Sequence, residues 1–208
     1  MSDYKSLIYI VDDDASICRA LSLLLKSFDY SVEIFTRAED FLSFKHPKIR
    51  SCLVLDISLP GINGLALQET MTSRGLSIPI VFITGHGDVP KSVRAIKAGA
   101  IDFLLKPFNN KTLLNAVSQA LAKSKTQNKN EANLASIEKR IKTLSPRELE
   151  VFRYVAEGMM NKQIATKRGI TLQTIKVHRG RVMQKMQAKT VTELIHLAQK
   201  AGITSRKD

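Results

Sequence analysis

The stretch Leu-Ile-Tyr-Ile-Val-Asp-Asp-Asp-Ala-Ser-Ile-Cys-Arg-Ala-Leu (7–21) sets the fold. Five apolar residues in a row, with no polar alternation, read as a strand buried on both faces, Leu7–Val11. Three carboxylates stand where that run stops. Asp14 then serves as N-cap for a helix over Ala15–Phe28. The same unit recurs down the chain. Strands are expected at Ser31–Phe35, Cys52–Leu55, Ile78–Ile83 and Ile101–Leu105, with helices at Ala38–Phe44, Gly64–Ser73 and Pro90–Ala98. A fifth helix over Lys111–Lys123 takes Asn110 as its N-cap. Short Val/Ile/Leu strands alternating with helices predict an α/β domain, a parallel sheet covered on both faces.

In such sheets ligands bind beyond the carboxyl ends of the strands, where strand order reverses. The chemistry-bearing residues fall at those ends: Asp12, Asp13 and Asp14 after the first strand, Asp56 closing the third, Thr84 the fourth and Lys106 the fifth. Each alone reads as a loop residue or cap; several strand ends carrying such residues together point to one site. Crowded carboxylates need a cation, and a hard ion such as Mg²⁺ fits them. One carboxylate can then act as nucleophile toward phosphorus, with an ammonium and a hydroxyl opposing the charge on the phosphoryl oxygens.

The segments Val-Asp-Asp-Asp (11–14), Leu-Asp-Ile-Ser-Leu-Pro-Gly-Ile-Asn-Gly (55–64), Ile-Thr-Gly-His-Gly-Asp (83–88) and Asp-Phe-Leu-Leu-Lys-Pro-Phe (102–108) resemble the receiver domain of bacterial response regulators, a flavodoxin-like doubly wound fold of five parallel strands. The resemblance covers residues 1–122. It implies that Asp56 is the phosphoacceptor, that Asp13, Asp56 and the main-chain carbonyl of Ser58 bind Mg²⁺ directly, and that Asp12 acts through water. It further implies that Thr84 and Lys106 contact the phosphoryl group and that Phe103 is an aromatic switch working with Thr84. The Lys106–Pro107 bond is commonly cis in that family, although the base-rate expectation for X-Pro is trans. Gly85 and Gly87 do not make a nucleotide loop, because Pro90 stands where a third glycine is required.

Composition bounds the rest. No apolar run nears the ~20 residues that span a bilayer, and the opening Met-Ser-Asp-Tyr-Lys lacks the features of an export signal, so a cytoplasmic protein is expected. Cys18 and Cys52 have neither disulfide-framework nor metal-ligand spacing and read as buried thiols. The net charge of +13 is unevenly spread: residues 1–122 carry 13 Lys/Arg against 12 Asp/Glu, residues 123–208 carry 19 against 7. A basic C-terminal part suggests a polyanionic partner, most often nucleic acid.

Residues 123–143 are polar, without Gly or Pro, and read as a solvated helical linker; Leu134, Ile137 and Ile141 form a narrow apolar stripe on it. From Leu144 to Asp208 an all-α, four-helix domain is expected. Ser145 as N-cap, Pro146 at the first helical position and Glu148 at the third form a capping box, and Gly158 ends that helix. Asn161 is read as the cap of a short helix, Lys162–Arg168, stopped by Gly169. Thr171 caps a third helix running to about Ala188. A short helix, a tight turn and a longer basic helix make a helix-turn-helix. At about 100° per residue, Ile175, Val182 and Met186 share a core face. Val177, Gly180, Arg181 and Gln184 lie opposite, with Lys176 beside them, a face suited to the major groove.

Leu-Ser-Pro-Arg-Glu (144–148), Asn-Lys-Gln-Ile-Ala (161–165) and Thr-Ile-Lys-Val-His (174–178) resemble the LuxR-type DNA-binding domain, and both domains in this order resemble the NarL/FixJ class of response regulators. That implies a last helix over about Val191–Ala201 and places Lys176, Val177, His178 and Arg179 at or beside DNA; the wheel sets His178 and Arg179 on the flanks, toward phosphates. With Asn161, Lys162, Thr174, Arg181, Gln184 and Lys185 they form the candidate DNA-contact set. Two departures stand out: Arg168 where the family has a core leucine, and Gly180 in mid-helix, costing ~1 kcal/mol against alanine. The expected partners are a sensor histidine kinase, double-stranded DNA and a second copy once phosphorylated, with RNA polymerase a further candidate. A receiver that never uses phosphate would lack part of the Asp12/Asp13/Asp56/Thr84/Lys106 set, and a phosphatase would need a substrate pocket or cap domain. No enzymatic turnover beyond its own phosphorylation and dephosphorylation is expected.

Overall fold

In the computed structural model, residues 6–85, 87 and 89–203 are described. Residues 1–5, His86 and Asp88 of the 83–88 motif, and the last five residues of the basic domain lie outside the described residues. Strands β1 (Leu7–Val11), β2 (Ser31–Phe35), β3 (Ser51–Asp56), β4 (Ile80–Thr84) and β5 (Asp102–Leu105) alternate with helices α1 (Ala15–Lys26), α2 (Ala38–Ser43), α3 (Gly64–Ser73), α4 (Val89–Lys97) and α5 (Asn110–Ile141). The sheet is parallel throughout, in the order β2-β1-β3-β4-β5. This is the doubly wound, flavodoxin-like arrangement expected, and the strand order reverses between β1 and β3.

The strand period of two divides the core. Tyr9, Val11, Leu53, Leu55 and Phe82 face one side, packed with Phe41, Leu67 and Met71 of α2 and α3. Ile8, Ile10, Val54, Val81 and Ile83 face the other, under Leu21 and Leu25 of α1 and Leu113, Val117 and Leu121 of α5. Each fully buried large side chain contributes on the order of 2 kcal/mol. One glycine is required by close approach: a Cβ on Gly64 would run into the carbonyl oxygen of Asp56. Its N–H donates to the Ile57 carbonyl at 3.0 Å, folding the β3–α3 loop back beside Asp56.

Local chemistry corrects some expected boundaries. α1 ends at Lys26 rather than Phe28, because Asp29 adopts a left-handed φ of 61°. The N-cap of α5 is Asn109, not Asn110: its Oδ1 accepts from the Thr112 N–H at 2.8 Å. The Lys106–Pro107 bond is cis, against the base-rate expectation. No helix among the described residues is long and apolar enough to cross a membrane.

The chain forms two compact units, and the division falls within α5, between Lys129 and Asn130, inside the 123–143 segment expected to be a helical linker. The second unit holds the end of α5 with α6 (Pro146–Ala156), α7 (Asn161–Arg168), α8 (Leu172–Met186) and α9 (Val191–Lys200). The apolar stripe explains why the end of α5 belongs to the second unit. Ile137 is buried and Ile141 half-buried in a core with Phe152, Ile164, Ile175, Val182, Met186 and Leu194, while Leu134 stays exposed.

Candidate functional site

Asp14 caps α1, accepting from the N–H groups of Ser16 and Ile17, and these bonds hold its carboxyl below the usual range. That turn brings Asp12 inward, where its Oδ1 accepts from the Asp14 N–H at 2.9 Å. Asp56 ends β3, which pairs in parallel register with β1, so the two carboxylates reach the same rim on adjacent strands. Lys106, just past β5, extends across β4: its ammonium donates to Asp12 Oδ2 at 2.7 Å and Asp56 Oδ1 at 2.8 Å. The other oxygen of Asp56 accepts from the Ser58 N–H. Thr84, buried, closes β4 between them, and its carbonyl accepts from the Lys106 N–H at 2.7 Å. The structure therefore gathers Asp12, Asp56, Ser58, Thr84 and Lys106 at the sheet's switch point.

Two buried carboxylates face one ammonium, which leaves a negative charge in a poorly solvated place. Burial accordingly raises the Asp12 carboxyl above its ordinary value despite the Lys106 bond. Burial works to lower Lys106 but is overcome by Asp12 and Asp56, whose hydrogen bonds and charge hold it above the usual lysine value. The Cys18 thiol donates to the Asp12 carbonyl at 3.3 Å and is pushed up to about 11 by burial and by Asp12, so it is no nucleophile at neutral pH.

Among the described residues no three His, Cys, Asp or Glu side chains lie close enough to form a metal cluster. Asp13 is exposed rather than drawn inward, because Asp12 and Asp14 take the inward and capping directions. The residues present fit Mg²⁺. Two carboxylates with unbalanced charge, an adjacent main-chain carbonyl at Ser58 and an exposed third carboxylate at the mouth are the hard oxygen donors this ion takes, together with water.

Phe103 on β5 is half-buried, its ring 6.5 Å from Phe82. Beyond it, Leu105 and, on α4, Val89, Val93 and Ile96 expose large apolar side chains.

In the second unit the wheel is matched. Ile175, Val182 and Met186 are fully buried, whereas Lys176, Val177, Gly180, Arg181 and Gln184 are exposed and His178 and Arg179 half-buried. Thr171 caps α8 through the Thr174 N–H at 3.1 Å. Lys162 is exposed at the start of α7. Asn161 is not the cap: α7 begins on it, and the Met160 N–H instead donates to Gln163 Oε1 at 2.7 Å. The Asn161 Oδ1 accepts from the Arg179 guanidinium, tying α7 to α8. Lys185 is also engaged within the unit, donating to Glu148 Oε2 at 2.6 Å and to the Thr143 carbonyl at 3.0 Å. Glu148, itself buried, thus closes the capping box with Ser145 and carries a part-buried ion pair as well. Arg168 reaches outward to Glu150 at 2.9 Å, the snorkelling its apolar neighbours require.

Sequence reasoning missed these pairings, and Arg140 with them: its guanidinium donates to the Met186 carbonyl at the end of α8. An acidic residue at the third helical position was legible; its distant partner was not.

Residues 8–118 match the response regulator receiver domain family, and residues 142–198 match the luxR family of bacterial regulatory proteins. The chain is 42% identical to Nodulation protein W of Bradyrhizobium diazoefficiens over 97% of its length and 88% of that protein's. It is 39% identical to the transcriptional regulatory protein FixJ of Azorhizobium caulinodans, covering 97% and 95%. Among solved structures, the response regulator StyR aligns at a TM-score of 0.81 with 43% identity, over 94% of this chain and 99% of that one. Full-length FixJ from B. japonicum aligns at 0.55 with 38% identity, covering 96% and 98%. With a carboxylate rim bridged by lysine in one unit and a capped, basic helix-turn-helix in the other, the chain belongs to the NarL/FixJ-type two-component response regulators, transcription regulators that join a receiver domain to a LuxR-type DNA-binding domain.

Proposed function

We propose that a sensor histidine kinase phosphorylates Asp56 and that the modified protein dimerises and binds specific DNA sites. The observation that carries this reading is Lys106 bridging the buried Asp12 and Asp56 at the switch point. Asp56 offers a carboxylate oxygen to phosphorus; the P–O bond forms as the bond to the donor's imidazole nitrogen breaks. Asp13, Asp56 and the Ser58 carbonyl would hold Mg²⁺, with Asp12 acting through water, and the ion would supply positive charge against the phosphoryl oxygens. The aspartyl phosphate adds roughly two negative charges, which Lys106 pairs and the Thr84 hydroxyl meets. Thr84 and Phe103 then shift the surface of α4, β5 and α5, a two-state element biased by one local charge. The exposed Val89, Val93, Ile96 and Leu105 supply that surface with apolar area to bury against a second copy.

Dimerisation would set two α8 helices on paired half-sites. Lys176, Val177, Arg181 and Gln184 would face the bases, and His178 and Arg179 the phosphates, with RNA polymerase as a further partner. The protein acts in the cytoplasm and turns over no substrate but its own phosphoryl group. The test is acetyl phosphate with Mg²⁺, read by mass spectrometry and light scattering. The native chain should gain an acid-labile adduct at Asp56 and double its mass; Asp56→Asn should do neither. Phosphate-driven dimerisation of that variant would reject the mechanism.

A further inference from the structure

Helix α8 runs for 15 residues, and its carboxyl end carries backbone carbonyls that no intrahelical N–H can reach. Gln187 leaves the helix in the left-handed conformation at φ 56°, its N–H turning back to Gln184 and Met183. The Met186 carbonyl is met from another element: Arg140, on the last turn of α5, donates to it at 3.0 Å through one guanidinium nitrogen. The second nitrogen donates to Ser136 Oγ at 3.3 Å, which holds the fork in place along α5. A cation at a helix carboxyl end is favoured by the helix dipole as well as by the hydrogen bond. Nearby Ile137 is buried in the same core as Met186. One residue earlier, Lys185 ties α8 to Glu148 and Thr143.

We infer that Arg140 is a positioning residue for the recognition helix: its bond to the Met186 carbonyl fixes the angle at which α8 presents Lys176, Val177, Arg181 and Gln184. The inference rests on the reading that this face of α8 meets DNA. Arg140 itself is half-buried with its guanidinium turned onto the end of α8, whereas its neighbours Lys139 and Lys142 are exposed. Its charge therefore acts on the helix rather than on a phosphate. A helix free to tilt at one end keeps its general attraction for DNA and loses alignment with base edges, so discrimination suffers and phosphate binding does not.

The test compares the full chain with Arg140→Gln and Arg140→Lys. The probes are a duplex the wild-type protein selects from a randomised library and an unrelated duplex of equal length, titrated across salt concentrations. Arg140→Gln should bind the selected duplex about five- to tenfold more weakly. Its affinity for the unrelated duplex and its salt slope should stay unchanged, and Arg140→Lys should recover most of the loss. Equal binding of the selected duplex by Arg140→Gln and wild type overturns the inference. So does a parallel loss on both duplexes with the salt slope smaller by about one, the mark of a phosphate contact. If circular dichroism finds Arg140→Gln unfolded, Ser136→Ala carries the test, with a smaller loss confined to the selected duplex; no change there overturns it equally. Arg181→Ala and Gln184→Ala separate the two claims. If they leave both duplexes unaffected, the reading of α8 fails; if they weaken binding while Arg140→Gln does not, only the role of Arg140 fails.

Discussion

Replacing Lys106 with methionine keeps the length and apolar bulk of the side chain but removes the ammonium that lies 2.7 Å from Asp12 Oδ2 and 2.8 Å from Asp56 Oδ1. The two carboxylates are 1% and 4% exposed, so water cannot take over. At an effective dielectric of about 20, each contact contributes about 6 kcal/mol of Coulomb attraction. The two oxygens lie no farther apart than the two contacts laid end to end, so their mutual repulsion is at least about 3 kcal/mol on the same scale. Desolvation offsets most of the attraction in the native protein. Removing one partner still leaves uncompensated buried charge, at a net cost of about 3–4 kcal/mol.

Hydrogen exchange of the β1 and β3 amides reads the opening of this unit directly, which matters because two units need not unfold together. In EDTA, Lys106→Met should speed that exchange about a hundred- to thousandfold, since each 1.4 kcal/mol is about tenfold. Asp56→Asn should lie within about 1 kcal/mol of wild type, because it leaves Lys106 and Asp12 matched one to one. Combining the two changes should recover a large part of the Lys106→Met loss, and millimolar Mg²⁺ should narrow the single variant's deficit by binding the freed carboxylates. Unchanged exchange in Lys106→Met, or an equal fall in Asp56→Asn, would refute the electrostatic reasoning.

Three further outcomes follow from the second unit. Gly180→Ala should raise its melting temperature, worth about 0.5–1 kcal/mol, because Gly180 is helical and exposed and a Cβ there meets nothing within 4 Å. Arg168→Ala should cost less than about 1 kcal/mol in urea unfolding, since the 2.9 Å pair with Glu150 joins side chains 31% and 30% exposed. Glu148 is held below the ordinary glutamate range by the Lys185 bond first and the Ser145 N–H second. Its ionised form therefore stabilises the unit above the unfolded pKa, and that stability is lost as pH falls through the folded value. Urea midpoints followed from about pH 6 to about pH 3 should fall less steeply in Glu148→Gln than in wild type.

The receiver was legible almost entirely, because its signals are local. Unbroken apolar runs fix strands, and a site at the carboxyl ends of parallel strands needs no knowledge of side-chain packing. Asp12, Asp56, Thr84 and Lys106 could be placed on one rim from topology alone. The caps were legible where one residue type dominates, as at Asp14, Ser145 and Thr171. They were misread where two amides compete, as at Asn109 and Asn110, or where a helix is capped by a side chain from inside, as Gln163 does for α7.

What stayed hidden is which charge pairs with which. Along 123–143 the polar composition argues for a linker, and three apolar residues argue for a buried face. Only the packed core decides that Ile137 belongs to the second unit while Leu134 does not. Lys185 shows the same ambiguity in a sharper form. On a basic helix the periodic pattern makes it one more candidate for DNA, because sequence distance gives no hint that Glu148, 37 residues earlier, sits under it. The +12 of the C-terminal part is therefore not all presented to a polyanion. Lys185, Arg140, Arg168 and Arg179 spend their hydrogen bonds on Glu148, Met186, Glu150 and Asn161, whereas Lys162, Lys176 and Arg181 of the candidate DNA-contact set are exposed with their charges turned outward.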